Sequence, residues 1–173
     1  MTVNQHRLLI VFSGLPGTGK TTISKPLAAR LGAVFLRIDT IEQAVRTAGA
    51  PAIGTAGYAV ANALAVDNLY LGHCVVADCV NPVRDSRQGW ETAAAQTSAL
   101  LINIHLICSD LVEHKRRVED RNTDIPGHII PTWDGVMKHE FEARDDDHWV
   151  LDTAMLHPHD LVDRCEHYIG KMY

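Results

Sequence analysis

Gly14-Leu15-Pro16-Gly17-Thr18-Gly19-Lys20-Thr21, followed by Thr22, carries the spacing Gly-x-x-x-x-Gly-Lys-Ser/Thr. That spacing suits one task, holding a chain of phosphates. Glycines let the backbone turn its N–H groups inward around an anion, where side chains would obstruct. A helix starting at the end of the loop adds the positive end of its dipole. Lys20 would reach the terminal phosphates as a point charge, and the Thr21 hydroxyl would hold Mg²⁺. The bland alternative is a tight strand-to-helix turn, but a Lys-Thr pair at this register has no packing task. The stretch predicts binding of a nucleoside triphosphate.

Other polar residues follow apolar runs. Asp39 comes after Val34-Phe35-Leu36-Arg37-Ile38. It could accept a proton from an attacking hydroxyl or bind substrate, or it could simply cap the next helix. Asp78, after Cys74-Val75-Val76-Ala77, is placed to orient Mg²⁺ or its water shell; a solvated turn is the competing account. Asn81 and Arg84 lie just beyond, within reach of a second substrate, with Arg87 as a further candidate. A solvated helix face would explain the arginines as well. Arg117 and Arg121 are four apart and would share one helix face before the break Asn122-Thr123-Asp124-Ile125-Pro126-Gly127-His128. Guanidinium groups that arrive as a lid closes suit the charge of a loose phosphoryl transition state. A surface face neutralised by Glu113, Glu119 and Asp120 is the alternative, and it fits Lys115 and Arg116 better.

Strands that could carry these residues are expected at 8–13, 34–38, 74–77, 100–107 and 149–152. Helices are expected at 19–31, in a short stretch from Thr40 to the break Gly49-Ala50-Pro51, and at 54–71, 86–98, 111–121, 133–143 and 159–173. Pro26 should bend the first of them. Continuous apolar strands between helices point to a parallel sheet covered on both faces, an α/β class fold in three α/β/α layers. Its ligands belong at the carboxyl ends of the strands. Asp145-Asp146-Asp147 reads as a solvated turn, and Trp133 and Trp149 read as packing residues.

Length, at 173 residues, favours one domain over 1–173. A net charge of −5 argues against a sequence-tolerant nucleic-acid binder, which would show a basic stripe. The four cysteines form no Cys-x-x-Cys pair and the ten histidines no metal-binding spacing, so neither zinc nor disulfides are expected. The first residues lack the pattern of a signal peptide, and no apolar run reaches the roughly 20 residues of a membrane span. The expectation is a cytoplasmic protein with no membrane partner, whether monomer or homodimer.

With these residues in place, the chain resembles the small P-loop kinases related to chloramphenicol phosphotransferase and zeta-toxin-type kinases, an AAA-type kinase group. The likeness rests on the glycine loop, Ile38-Asp39-Thr40, Val75-Val76-Ala77-Asp78 with Asn81-Pro82, and Arg117-x-x-x-Arg121. It implies a sheet in the order 2-3-1-4-5, a helical lid over about 117–135, and ATP with Mg²⁺ as cofactors. It also implies Asp39 as the base that activates an acceptor hydroxyl, with Arg117 and Arg121 meeting ATP phosphates or adenine. The partner implied is a small-molecule acceptor with a hydroxyl. The Ala, Tyr and Asn content of 46–70 and 81–90, the segments that would form its pocket, would suit a neutral or partly apolar one. Nucleotide, sugar-nucleotide and polynucleotide 5′-kinases remain as alternatives. So does a nucleotide-dependent switch, although there is no Asn-Lys-x-Asp for guanine, and the third strand runs into Asp78-Cys79-Val80-Asn81 and not into Asp-x-x-Gly.

Overall fold

The computed structural model describes residues 7–50 and 52–172. Chain order is β1 (Leu8–Ser13), α1 (Lys20–Leu31), β2 (Val34–Arg37), α2 (Ile38–Thr47), α3 (Ala56–Tyr70), β3 (Val75–Asp78), α4 (Arg84–Thr97), β4 (Leu100–Ile107), α5 (Leu111–Glu119), α6 (Trp133–Met137), β5 (Trp149–Asp152) and α7 (Pro158–Ile169). The strands are parallel and lie in the order β2-β3-β1-β4-β5. Pro51 and Tyr173, expected at a helix break and a helix end, fall outside the described residues.

Period-two alternation decides the two faces of the sheet. Leu8, Ile10 and Phe12 of β1, with Ile102, Ile104 and Leu106 of β4, pack on Ile23 and Leu27 of α1 and Leu161 and Cys165 of α7. The intervening Leu9 and Val11, with Val75 and Ala77, meet Ala61, Ala65 and Leu69 of α3 and Trp90 and Ala93 of α4. Both faces of the central strands are thus buried, and their runs are apolar throughout. The small alanines of α3 and α4 let two helices lie close over one face. Gly89 permits that approach, since a Cβ there would sit 2.5 Å from the Asn62 amide nitrogen.

β4 differs toward the β5 edge, where Asn103 and His105 take positions on the α4 face. No helix covers them there. The segment 141–148 does, with Asn103 Nδ2 donating to the Asp147 carbonyl and His105 packing on Phe141 and His148. This explains a departure from the expected helix 133–143: α6 stops at Met137. The residues after it leave the helix to lie on the sheet, and Glu142 accepts from the Arg84 N–H at the start of α4 while its own N–H donates to the Pro82 carbonyl. Asp146 is likewise not a solvated turn residue. Its side chain is 9% exposed and pairs with Arg144 and Arg87, both nearly buried.

Two other boundaries move. β2 ends at Arg37, so Asp39 belongs to the first turn of α2 and does not end the strand. α5 ends at Glu119 after starting at Asp110, whose carboxylate accepts from Val112 N and Glu113 N. Arg121 therefore lies beyond the helix and does not share a face with Arg117. The residues between α5 and α6 are irregular and carry Pro126, Pro131 and Gly127 at φ +77°, so the expected helical lid is a loop followed by one short helix. Pro26 is exposed within α1, which stays continuous around it.

Candidate active site

The glycine loop leaves β1 and enters α1 at the carboxyl edge of the sheet. Gly14 has φ +142° and approaches β4 so closely that a Cβ would fall 2.3 Å from the Leu106 carbonyl oxygen. Gly17 at φ +84° lies under α5, where a Cβ would fall 2.5 Å from Val118 Cγ2. Two contacts from outside fix the loop's carbonyls. His114, buried in α5, has Nε2 2.8 Å from the Pro16 carbonyl, and Thr153 donates its hydroxyl to the Thr18 carbonyl at 2.9 Å. Carbonyls held outward favour N–H groups pointing inward, as an anion requires.

Inside the loop, Lys20 Nζ donates to the Leu15 carbonyl at 2.9 Å. Burial pushes its pKa down, an effect opposed by the charges of Asp78 and Asp39. Asp78, buried at the end of β3, is pushed up by desolvation and pulled back by Lys20 and by the Thr21 hydroxyl, which donates to its Oδ2 at 2.6 Å. The desolvated ammonium and the desolvated carboxylate each offset part of the other's burial cost. The Thr21 hydroxyl and the Asp78 carboxylate form a hard oxygen pair, which fits Mg²⁺ and its waters.

The loop opens on a cleft of about 680 Å³, lined by Lys20, Thr21, Arg37, Asp39, Arg117 and Arg121 among others. Asp39 Oδ2 stands 3.9 Å from both Arg121 Nη2 and His128 Nε2, beyond hydrogen-bond reach of either. Its carboxylate therefore lies in the cleft with the Arg121 guanidinium and the His128 ring near it and, among the described residues, no side-chain donor seated on it. Arg37 pairs with Asp124 at 2.7 Å, which ties the loop after α5 to the end of β2.

The candidate residues divide. Gly14, Leu15, Pro16, Gly17, Thr18, Gly19, Lys20, Thr21 and Thr22 form the loop, with Asp39, Asp78, Arg117 and Arg121 around it. Arg117 is anchored rather than free, bonded to Glu113 and to the hydroxyl and carbonyl of Thr153. Asn81 is wholly buried at φ +55°, its N–H donating to the Tyr58 hydroxyl and its side-chain amide without a partner among the described residues. Arg84 is exposed, pairs with Asp145 and does not line the cleft, which separates it from the expected second-substrate group. Arg87 is buried against Pro82, Ala143 and Asp146 and holds the 141–148 segment, so it is not a solvated face. Sequence reading missed His114, His128 and Arg37. Histidines without a ligand spacing give no signal, and an arginine ending a strand looks like an edge charge until its burial is known.

The chain belongs to the AAA domain family AAA_33, whose pattern matches residues 9–134. No curated protein sequence matches it. Among solved structures, a Chloroflexus aurantiacus protein provisionally described as a kinase superposes with a TM-score of 0.71 at 17% identity, covering 97% of this chain and 98% of that one. A gluconokinase from Sinorhizobium meliloti gives 0.66 at 18% identity over 96% and 94%. The APS kinase of Mycobacterium tuberculosis, in complex with AMPPNP and APS, gives 0.67 at 14% over 95% and 96%. The fold is that of the P-loop NTPase kinases. No helix of the described residues is long and apolar enough to cross a membrane.

Proposed function

We propose that the protein is an ATP-dependent phosphotransferase that moves the γ-phosphate of Mg·ATP to a hydroxyl of a small molecule. One observation carries the reading: Asp39 faces the same cleft as Lys20, Thr21 and Arg121, with no side-chain donor among the described residues seated on its carboxylate. A switch that only binds nucleotide has no use for an unseated carboxylate at that place.

In this reading the loop N–H groups and Lys20 hold the β- and γ-phosphates. The Thr21 hydroxyl, with Asp78 behind it, would hold Mg²⁺, which would offset the negative charge of the phosphates. Asp39 accepts the proton of the acceptor hydroxyl as its oxygen bonds to the γ-phosphorus. The bond from that phosphorus to the β–γ bridging oxygen breaks, leaving ADP. Arg121, carried by the loop after α5, offsets charge on the transferring group. Arg117 fixes Thr153 and through it the Thr18 carbonyl.

The chain works as one domain, 1–173, whose lid spans about 117–135. Its kinship within the family lies with the small alcohol kinases of the chloramphenicol phosphotransferase and zeta-toxin type. The fold it shares with a gluconokinase and an APS kinase supports a small acceptor, and its net charge of −5 counts against a polynucleotide. The test is phosphate transfer from Mg·ATP across a panel of polyols, sugar acids, nucleosides, aminoglycosides and oligonucleotide 5′ ends. Transfer to one small-molecule class supports the reading. ATP binding with no transfer anywhere, together with nucleotide-dependent capture of a protein partner, would replace it by the switch.

A further inference from the structure

Arg37 closes β2 where the cleft meets Asp39, and its side chain is only 7% exposed. A guanidinium buried to that degree needs an anion. The anion it has is Asp124, at 2.7 Å, a carboxylate 56% exposed on the loop between α5 and α6. Arg37 Nε has no hydrogen-bond partner among the described residues. The other carboxylates nearby are committed. Asp78, in register with Arg37 across the β2–β3 pair, feels the Arg37 charge but takes its hydrogen bond from the Thr21 hydroxyl and is held more strongly by Lys20. Asp39 must stay clear for the acceptor hydroxyl.

The loop holding Asp124 also carries Arg121 and His128 to within 3.9 Å of Asp39, so an acceptor that displaces that loop meets Arg37 as well as Asp39. Asp124 then leaves Arg37, and a buried cation faces the incoming molecule. Lys25, 3.7 Å from the other Asp124 oxygen and exposed, can keep that carboxylate at the rim.

We propose that Arg37 binds an anionic group of the acceptor, a carboxylate or a phosphate, and that Asp124 holds that place when the acceptor is absent. The inference rests on the phosphotransfer reading for its view of which end of the cleft receives the acceptor. It revises the neutral alcohol suggested by the composition of 46–70 and 81–90, because a neutral acceptor leaves Arg37 without a hydrogen-bonded anion.

The experiment is calorimetric binding without turnover, using matched probes: aldonates against their alditols, and sugar phosphates against the free sugars. Wild type should bind the anionic member of a pair about ten- to a hundredfold more tightly, the scale of a charged hydrogen bond. The pair that shows the difference tells carboxylate from phosphate. Arg37→Gln should erase it. Asp124→Asn, at an exposed loop position, should raise affinity for the anion, and this holds the test open if the buried Arg37 variant does not fold. Equal binding of both members in wild type, or weaker anion binding in Asp124→Asn, would mean that the Arg37–Asp124 pair is only a latch and would overturn the inference. Arg37-dependent anion binding with no phosphate transfer to any bound anion would leave this subsite standing and remove the phosphotransfer reading.

Discussion

His105 offers a test of the sheet face that is covered by loop instead of helix. Burial, then the charges of Arg144 and His148, push its pKa down from 6.5 to about 4. The ring is neutral in the folded protein, while the unfolded chain takes up a proton near 6.5. Stability from this residue is therefore complete above pH 6.5 and is lost as pH falls toward 4. At pH 4.5 the two pKa values give an upper bound of about 2.6 kcal/mol lost, at about 1.36 kcal/mol per unit. The ring is partly solvated, and screening should reduce that to about half, roughly 1.3 kcal/mol. His105→Asn keeps a polar atom where Nδ1 faces the Ser13 hydroxyl at 3.4 Å, and removes the titration. Urea unfolding of both proteins at pH 7.0 and pH 4.5 reads the effect. The variant starts less stable by whatever the Phe141 contact contributes, and the gap should narrow by about 1.3 kcal/mol at the lower pH. Carboxylates titrate in both proteins and cancel in the comparison. A gap that stays constant between the two pH values would refute the neutral, half-buried histidine and the cover assigned to 141–148.

Thr21→Val leaves the buried Asp78 carboxylate without its donor and should cost about 1–3 kcal/mol in chemical unfolding, while Mg²⁺ ceases to strengthen nucleotide binding. His114→Phe removes the bond to the Pro16 carbonyl but keeps the packing on Gly17; ATP affinity should fall about fivefold, near 1 kcal/mol, and His114→Gln should restore most of it in the same titration. Glu42 is pushed up by desolvation and by Asp39, so its charged form is disfavoured in the folded state. Glu42→Gln should raise the melting temperature at pH 8 and leave it unchanged near pH 4, where the carboxyl is protonated folded or unfolded.

Much of the fold was legible because its signals are local. The glycine loop between an apolar run and a helix fixed the start of α1, and uninterrupted apolar strands announced a parallel sheet buried on both faces. Strand order followed only from the family resemblance, since pairing is a long-range property. The misplaced elements share a cause. Residues 138–143 have helix-compatible types, but the polar Asn103 and His105 on β4 leave a face that the segment 141–148 covers with carbonyls and ion pairs. Asp39 was found as a residue and misplaced as an element, because α2 begins at Ile38, directly after Arg37, without the expected Thr40 cap. Arg121 shares no helix face with Arg117, yet the loop that breaks the helix is what turns it toward Asp39. Arg37 and His114 needed the coordinates, since burial gives an arginine or a histidine its meaning here and no spacing reports it.

The central claim is that Asp39 takes the proton of an acceptor hydroxyl, and the direct measurement is Asp39→Asn with ATP affinity and phosphate transfer read on the same protein. Nucleotide binding should persist, because the loop, Lys20 and the Thr21–Asp78 pair are untouched. Transfer should fall about 10²- to 10⁴-fold, the usual range for a lost general base. Transfer at the wild-type rate with unchanged ATP affinity would contradict the account and leave Asp39 a residue of the first turn of α2.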